Sequence, residues 1–78
     1  MQYLVIEIQK INDQLAYLVT THDTREEAES KFYTVLAAAA ISGLPLHAAT
    51  LLNEAGNVLR SDHYIHEQPT SNELDEIE

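Results

Sequence analysis

This chain of 78 residues contains no cysteine. Disulfides and thiolate metal sites are therefore excluded, and nothing points to an oxidising compartment. Glycine is nearly as scarce, with only Gly43 and Gly56. Two isolated glycines cannot build a phosphate-cradling loop, and neither stands where a nucleophile elbow would need one around Ser42 or Ser61. Basic residues are few: 4 Lys and Arg stand against 13 Asp and Glu, for a net charge of −9. That balance argues against direct contact with nucleic-acid phosphates, which need a basic footprint. It suits either solubility or an acidic surface that meets a basic protein. No apolar run approaches the length of a membrane span, and the first residues lack a charged region followed by an apolar core. The expectation is a cytoplasmic protein with no membrane contact. A chain this short forms one domain with a modest core, so self-association is a reasonable supplement to its stability.

What the chain does have is one long periodic segment, from Thr24 to Ser42. Thr24 and Glu27 have the spacing of a capping box, and Asp23, Glu26 and Glu27 place negative charge at the positive end of the helix dipole. Ala28, Phe32, Val35, Leu36 and Ala39 recur at helical spacing and predict the face pressed on the core. Gly43 stands where a left-handed C-cap is wanted, and Pro45 follows to prevent continuation. A second stripe, Tyr33, Ala37, Ala40 and Ile41, lies off the core face. Alanine is a good helix former that tolerates water, but small side chains at this spacing also let another helix approach closely.

Strands are expected on both sides of this helix. Residues 2–10 alternate Leu4, Ile6 and Ile8 against Tyr3, Val5 and Glu7. Asn12-Asp13 is a turn, and residues 15–22 form the second strand of an antiparallel hairpin. Residues 47–53 and 58–66 form two more strands around a turn at Glu54-Ala-Gly-Asn57, with Gly56 and Asn57 suited to positive φ. The expected fold class is α+β, a two-layer ββαββ order with one helix packed on a four-stranded, mainly antiparallel sheet. The expected core is Leu4, Ile6, Ile8, Leu18, Ala28, Phe32, Val35, Leu36, Ala39, Leu51 and Ile65. One helix covers only one face of such a sheet. The outer face would carry Tyr3 and Val5, joined by Tyr17, Val19 and Tyr64 according to register, and would be unusually apolar.

After His66 the composition changes. Residues 67–78 hold five acids (Glu67, Glu73, Asp75, Glu76 and Glu78) with no Lys or Arg. Residues 1–66 thus read as a single domain of charge −4, and 67–78 as a flexible acidic tail of charge −5. Within the tail, Leu74 and Ile77 are three apart behind Asn72, which could cap one helical turn and so form a short docking peptide.

Candidates for chemistry are sparse. The ionisable groups are His22, His47, His63 and His66, with Asp23, Asp62 and Glu67. His63 and His66 have a spacing that chelates from a helix, but on a strand it sends the two rings to opposite faces. Ser30 lies mid-helix. The expectation is no enzyme, no catalytic residue, no cofactor and no metal. The surfaces expected to act are Tyr33, Ala37, Ala40 and Ile41 on the helix, Tyr3 and Val5 on the sheet, and Leu74 and Ile77 in the tail.

The segments Tyr3-Leu-Val-Ile-Glu-Ile-Gln9, Ala28-Glu-Ser-Lys31, Val35-Leu-Ala-Ala-Ala-Ala40, Leu44-Pro-Leu-His-Ala-Ala49, Leu51-Leu-Asn-Glu-Ala-Gly56 and His63-Tyr-Ile-His66 carry a resemblance. Over residues 2–66 the chain resembles a group of short uncharacterised proteins encoded in prophages and related mobile elements of gut Firmicutes. The resemblance implies a phage-like gene setting, where small acidic proteins are commonly virion parts, assembly factors or inhibitors of host systems. Two functions follow as expectations. The first is a non-enzymatic accessory module of a phage or prophage that forms a homo-oligomer, favoured as a dimer through the helix stripe with the sheet face as alternative. It would sit in the host cytoplasm or be carried in the virion. The second is an acidic inhibitor occupying the basic surface of a host defence or nucleic-acid-binding protein.

Overall fold

The computed structural model describes residues 1–66. The order is β1 (Tyr3–Ile11), β2 (Gln14–His22), α1 (Arg25–Ile41), β3 (Leu46–Asn53) and β4 (Val58–Ile65). The strands form one antiparallel sheet in the spatial order β2-β1-β3-β4, and the helix packs on one face, giving the α+β class and ββαββ order. The expected tail, with Leu74 and Ile77, lies outside the described residues.

Local chemistry explains each element. Thr24 Oγ1 accepts from the Glu27 N–H at 3.2 Å and donates its own proton to the Glu27 carboxylate at 3.3 Å. One of the orphan donors of the first helical turn is satisfied this way. At the far end Gly43 takes φ of 73°, the left-handed conformation that lets the chain leave the helix. Asn12 and Asp13 both have positive φ, 53° and 64°, which is the type I′ turn of a two-residue hairpin. The β3–β4 turn is built on Asn53, whose side-chain oxygen accepts from the N–H groups of Ala55 and Asn57, each at 3.0 Å. Gly56 supplies the left-handed residue there at φ of 89°; Asn57 stays at negative φ, contrary to expectation.

Ala28, Phe32, Val35 and Ala39 form the buried face of the helix, as their spacing predicts, and Leu36 packs beside them. They meet Val5, Ala49 and Leu51 from the sheet, with Tyr3 and Leu59 at the margin. Ala28, Ala39 and Ala49 are fully buried, so the helix backbone approaches the sheet closely where no long side chain intervenes.

The parity of β1 is a correction. Val5 is buried and Tyr3 packs on the core, while Leu4, Ile6 and Ile8 point to the other face. Ile65 and Leu18, also expected in the core, are 68% and 57% exposed. Handedness supplies the reason. β2 and β3 both run antiparallel to β1, so they are parallel to each other with β1 between them. The helix joins them as a crossover, and such connections are right-handed in about 98% of cases. The two-residue turn makes Ile11 and Gln14 a hydrogen-bonded pair, so Tyr3, Val5, Glu7 and Gln9 direct their N–H and C=O groups toward β2. With β2 on that side and β3 on the other, the right-handed path crosses β1 over Tyr3, Val5, Glu7 and Gln9. Crossover hand outweighs the larger number of aliphatic side chains on the opposite face.

Candidate functional site

An open, apolar sheet face is the consequence of that crossover. The register pairs Ile6 with Val19 and Thr50, Ile8 with Tyr17 and Ala48, and Leu4 with Thr21 and Leu52. Directly opposed residues share a face. The face away from the helix therefore carries Leu4, Ile6 and Ile8 at its centre and Leu15, Tyr17 and Val19 on one flank. Leu46, Leu52, Val58 and Ile65 stand on the other flank. The edges are the most open parts: Tyr17 is 77% exposed. Among the described strand residues on this face, Lys10 is the one full charge.

The sequence-based candidates fall in different places. Tyr3 and Val5 sit under the helix and are not available as a surface, which corrects the sheet patch assigned to them. Tyr17 and Val19 are on the open face as expected, and Tyr64, opposite His47, is on the helix side. On the helix, Ile41 is 87% exposed and Ala37 is exposed, but Ala40 is half-buried. Tyr33 is already engaged: its ring meets Phe32 edge-on at 5.2 Å and lies under the Arg60 guanidinium at 5.8 Å. The helix stripe is thus narrower than its spacing implies.

Arg60 also ties β4 to the helix, with Nε donating to Glu29 at 2.9 Å, while Arg25 stands 3.5 Å from the same carboxylate oxygen. The hydrogen bond from Arg60 holds the Glu29 carboxyl below its ordinary value of 4.5, and the charges of Arg60 and Arg25 act in the same direction. A depressed carboxylate contributes stability above its ordinary value and loses it as pH falls through the lower folded value. Glu29→Gln should therefore make the loss of thermal stability below pH 4.5 shallower than in wild type. An unchanged acid limb in melting curves from pH 6 to pH 2.5 would refute this (roughly the range over which such a group titrates).

The buried polar centre is one that sequence reasoning missed. His47 is 3% exposed. Its Nε2 donates to Glu7 Oε2 at 2.7 Å, and its Nδ1 lies 3.0 Å from Ser42 Oγ. Gln9 Nε2 donates to the same Glu7 oxygen at 3.0 Å. The order serine, histidine, carboxylate is that of a hydrolytic relay, but Ser42 is occupied as a helix cap. Its hydroxyl is within reach of Ala39 O at 3.2 Å and accepts from the Leu44 N–H at 3.3 Å. A cleft of about 140 Å³ on β1 and β2 is lined by Glu7, Gln9, Ala16, Tyr17 and Leu18, and a groove of about 240 Å³ runs between the helix and β4. Neither is lined by Ser42. The network braces the helix end onto β1 and β3. Its signal in the sequence was weak, because Glu7 and His47 meet only once β1 and β3 are adjacent.

His63 pairs with Ala48 on the open face, whereas His66 reaches the helix, its Nε2 3.0 Å from Ala39 O. The two rings therefore lie on opposite sides of the sheet. Among the described residues no group of three His, Cys, Asp or Glu side chains could hold a metal ion. Nor is any helix there long and apolar enough to cross a membrane. Comparison with known proteins finds no matching family model, no similar curated protein and no similar solved structure.

Proposed function

We propose that this chain is a non-enzymatic contact module, and that its first contact is with a second copy of itself through the open sheet face. The observation that carries this reading is the composition of that face: ten large apolar side chains with Lys10 as its one charge, in a chain of net charge −9. Self-association of an acidic protein meets least repulsion where its like charges are absent. Four strands of about eight residues give a footprint of about 19 by 26 Å. That is roughly 500 Å², which side-chain relief raises toward the about 800 Å² per partner of a standard interface. Two such faces stack as a sheet-on-sheet sandwich related by a twofold axis. The sheet face takes precedence over the helix stripe because Tyr33 is already packed within the chain.

A phage or prophage setting suits a module of this kind, as a virion part or assembly factor. The second reading, an acidic inhibitor of a basic host protein, draws on one local observation. Gln2 bonds to both Glu54 and Asp23, which gathers these acids near Glu26 and Glu27 at the helix start. Salt separates the two readings, since charge-driven binding weakens with ionic strength and apolar assembly does not.

The direct test is light scattering on Ile6→Lys. Ile6 is central on the open face and outside the core cluster. The variant should keep the wild-type circular dichroism and halve the wild-type mass. A wild type that stays monomeric at high micromolar concentration removes the self-association reading.

A further inference from the structure

The two edges of the sheet differ in a way the open face does not explain. β4 is a protected edge: it carries a bulge at Leu59 opposite the Leu51/Leu52 step, and the charged Arg60 and Asp62. β2 has none of these devices. Its nine residues, Gln14–His22, include no Asp, Glu, Lys, Arg, Pro or Gly, and its pairing with β1 is unbroken over the full length. Long, regular, uncharged edges are what folded proteins ordinarily avoid, because unpaired N–H and C=O groups recruit another strand. Leu18 adds to the anomaly. It lies on the helix side of β2, opposite Glu7, yet is 57% exposed.

We infer that β2 is a second self-association site, at which two copies pair antiparallel about a twofold axis at Leu18 to make one eight-stranded sheet. The register follows from the chain itself. Because Ile11 and Gln14 form a hydrogen-bonded pair next to the two-residue turn, alternation leaves the N–H and C=O of Leu15, Tyr17, Val19 and Thr21 facing outward. An axis at Leu18 sets Tyr17 opposite Val19 of the second copy and Leu15 opposite Thr21. All four outward residues then meet outward residues, for about eight main-chain hydrogen bonds. Leu18 meets its own counterpart as a non-hydrogen-bonded pair, the closer kind, and both are removed from water. On the open face the aromatic ring of Tyr17 falls beside β-branched Val19, a favourable cross-strand pair. No charge is buried at any of these positions.

This inference rests on the contact-module reading but uses a different surface. Edge pairing joins two open faces into one continuous apolar surface of twice the width. Stacking two such sheets closes the assembly at four chains with dihedral symmetry.

Leu18→Lys is the test, with Ile6→Lys as its counterpart, in light scattering and amide exchange on the full chain. Leu18 is exposed in the single chain, so the lysine leaves the fold intact, and it replaces the apolar Leu18 contact across the axis by two solvated ammonium groups. The expected result is a twofold drop in mass, with faster exchange at the N–H groups of Leu15, Tyr17, Val19 and Thr21 alone. The double variant should be monomeric. A Leu18→Lys chain with wild-type mass and wild-type exchange at those four amides overturns the edge pairing and leaves the face reading standing. An Ile6→Lys chain of wild-type mass, with Leu18→Lys dissociated, does the reverse.

Discussion

Phe32→Ala is expected to remove a large part of this protein's folding stability. Phe32 is 3% exposed and packs in one cluster with Val5, Ala28, Val35, Ala49 and Leu51. Three of the seven buried apolar residues are valine or leucine and three are alanine, so Phe32 is the one aromatic ring among them. Removing a buried phenylalanine costs about 3–5 kcal/mol. A domain of this size has only about 4–10 kcal/mol in total. Urea titration at fixed chain concentration is the measurement, because assembly adds stability of its own. A variant whose midpoint lies near that of wild type would show that the helix face is wrongly identified.

The second large effect is expected at His47. His47→Ala takes a partner from both Glu7 and Ser42, and the partly shielded carboxylate loses its shortest hydrogen bond. Glu7 retains some contact with water through its cleft, its side chain being 19% exposed, so the cost is about 2–3 kcal/mol rather than the larger figure for a fully buried ion pair. The asymmetry of buried polar groups gives the control. Replacing Glu7 and His47 together by leucine should cost less than either single truncation, since neither ionisable partner is left without the other, and Ser42 keeps its contacts to Ala39 and Leu44. Denaturant midpoints for the two singles and the double decide it. If the double is the least stable of the three, the network supports the fold in some way other than mutual satisfaction.

Much of the architecture was legible because it is written locally. The helix announces itself through Thr24, Glu27 and the Ala28–Phe32–Val35–Ala39 spacing, and the structure places its ends at Arg25 and Ile41. The four strands and both turns were readable from alternation and turn residues. The face of β1 was not, and the error has a definite origin. Leu4, Ile6 and Ile8 outnumber Tyr3 and Val5 as aliphatics, so local hydrophobicity favours the wrong side. What decides the matter is the position of β1 between β2 and β3, which is not a local property. One constraint was available, however. A two-residue turn at Asn12-Asp13 pairs Tyr17 with Ile8 and Val19 with Ile6, so Tyr17 and Val19 cannot share a face with Tyr3 and Val5. Applied early, it would have gathered Leu4, Ile6, Ile8, Tyr17 and Val19 on one surface. The Glu7–His47 contact stayed hidden for the same reason as the β1 face.

The seam between β1 and β3 bears on how the chain folds. Each hairpin is local: the first closes over two residues and the second over four, and such units form within about 1–10 μs. Glu7 and His47, by contrast, are 40 positions apart, and they meet only when β3 is laid beside β1. Closing that span costs entropy before any contact returns it. The slow event is therefore the docking of two ready-made hairpins along one line, where Val5 and Leu51 are paired directly. Until it occurs, the uncharged β2 strand and the aliphatics of β1 are exposed together on a free hairpin. Newly made chains would be most prone to mispairing during that interval, and conditions that speed the docking should raise the yield of correctly assembled protein.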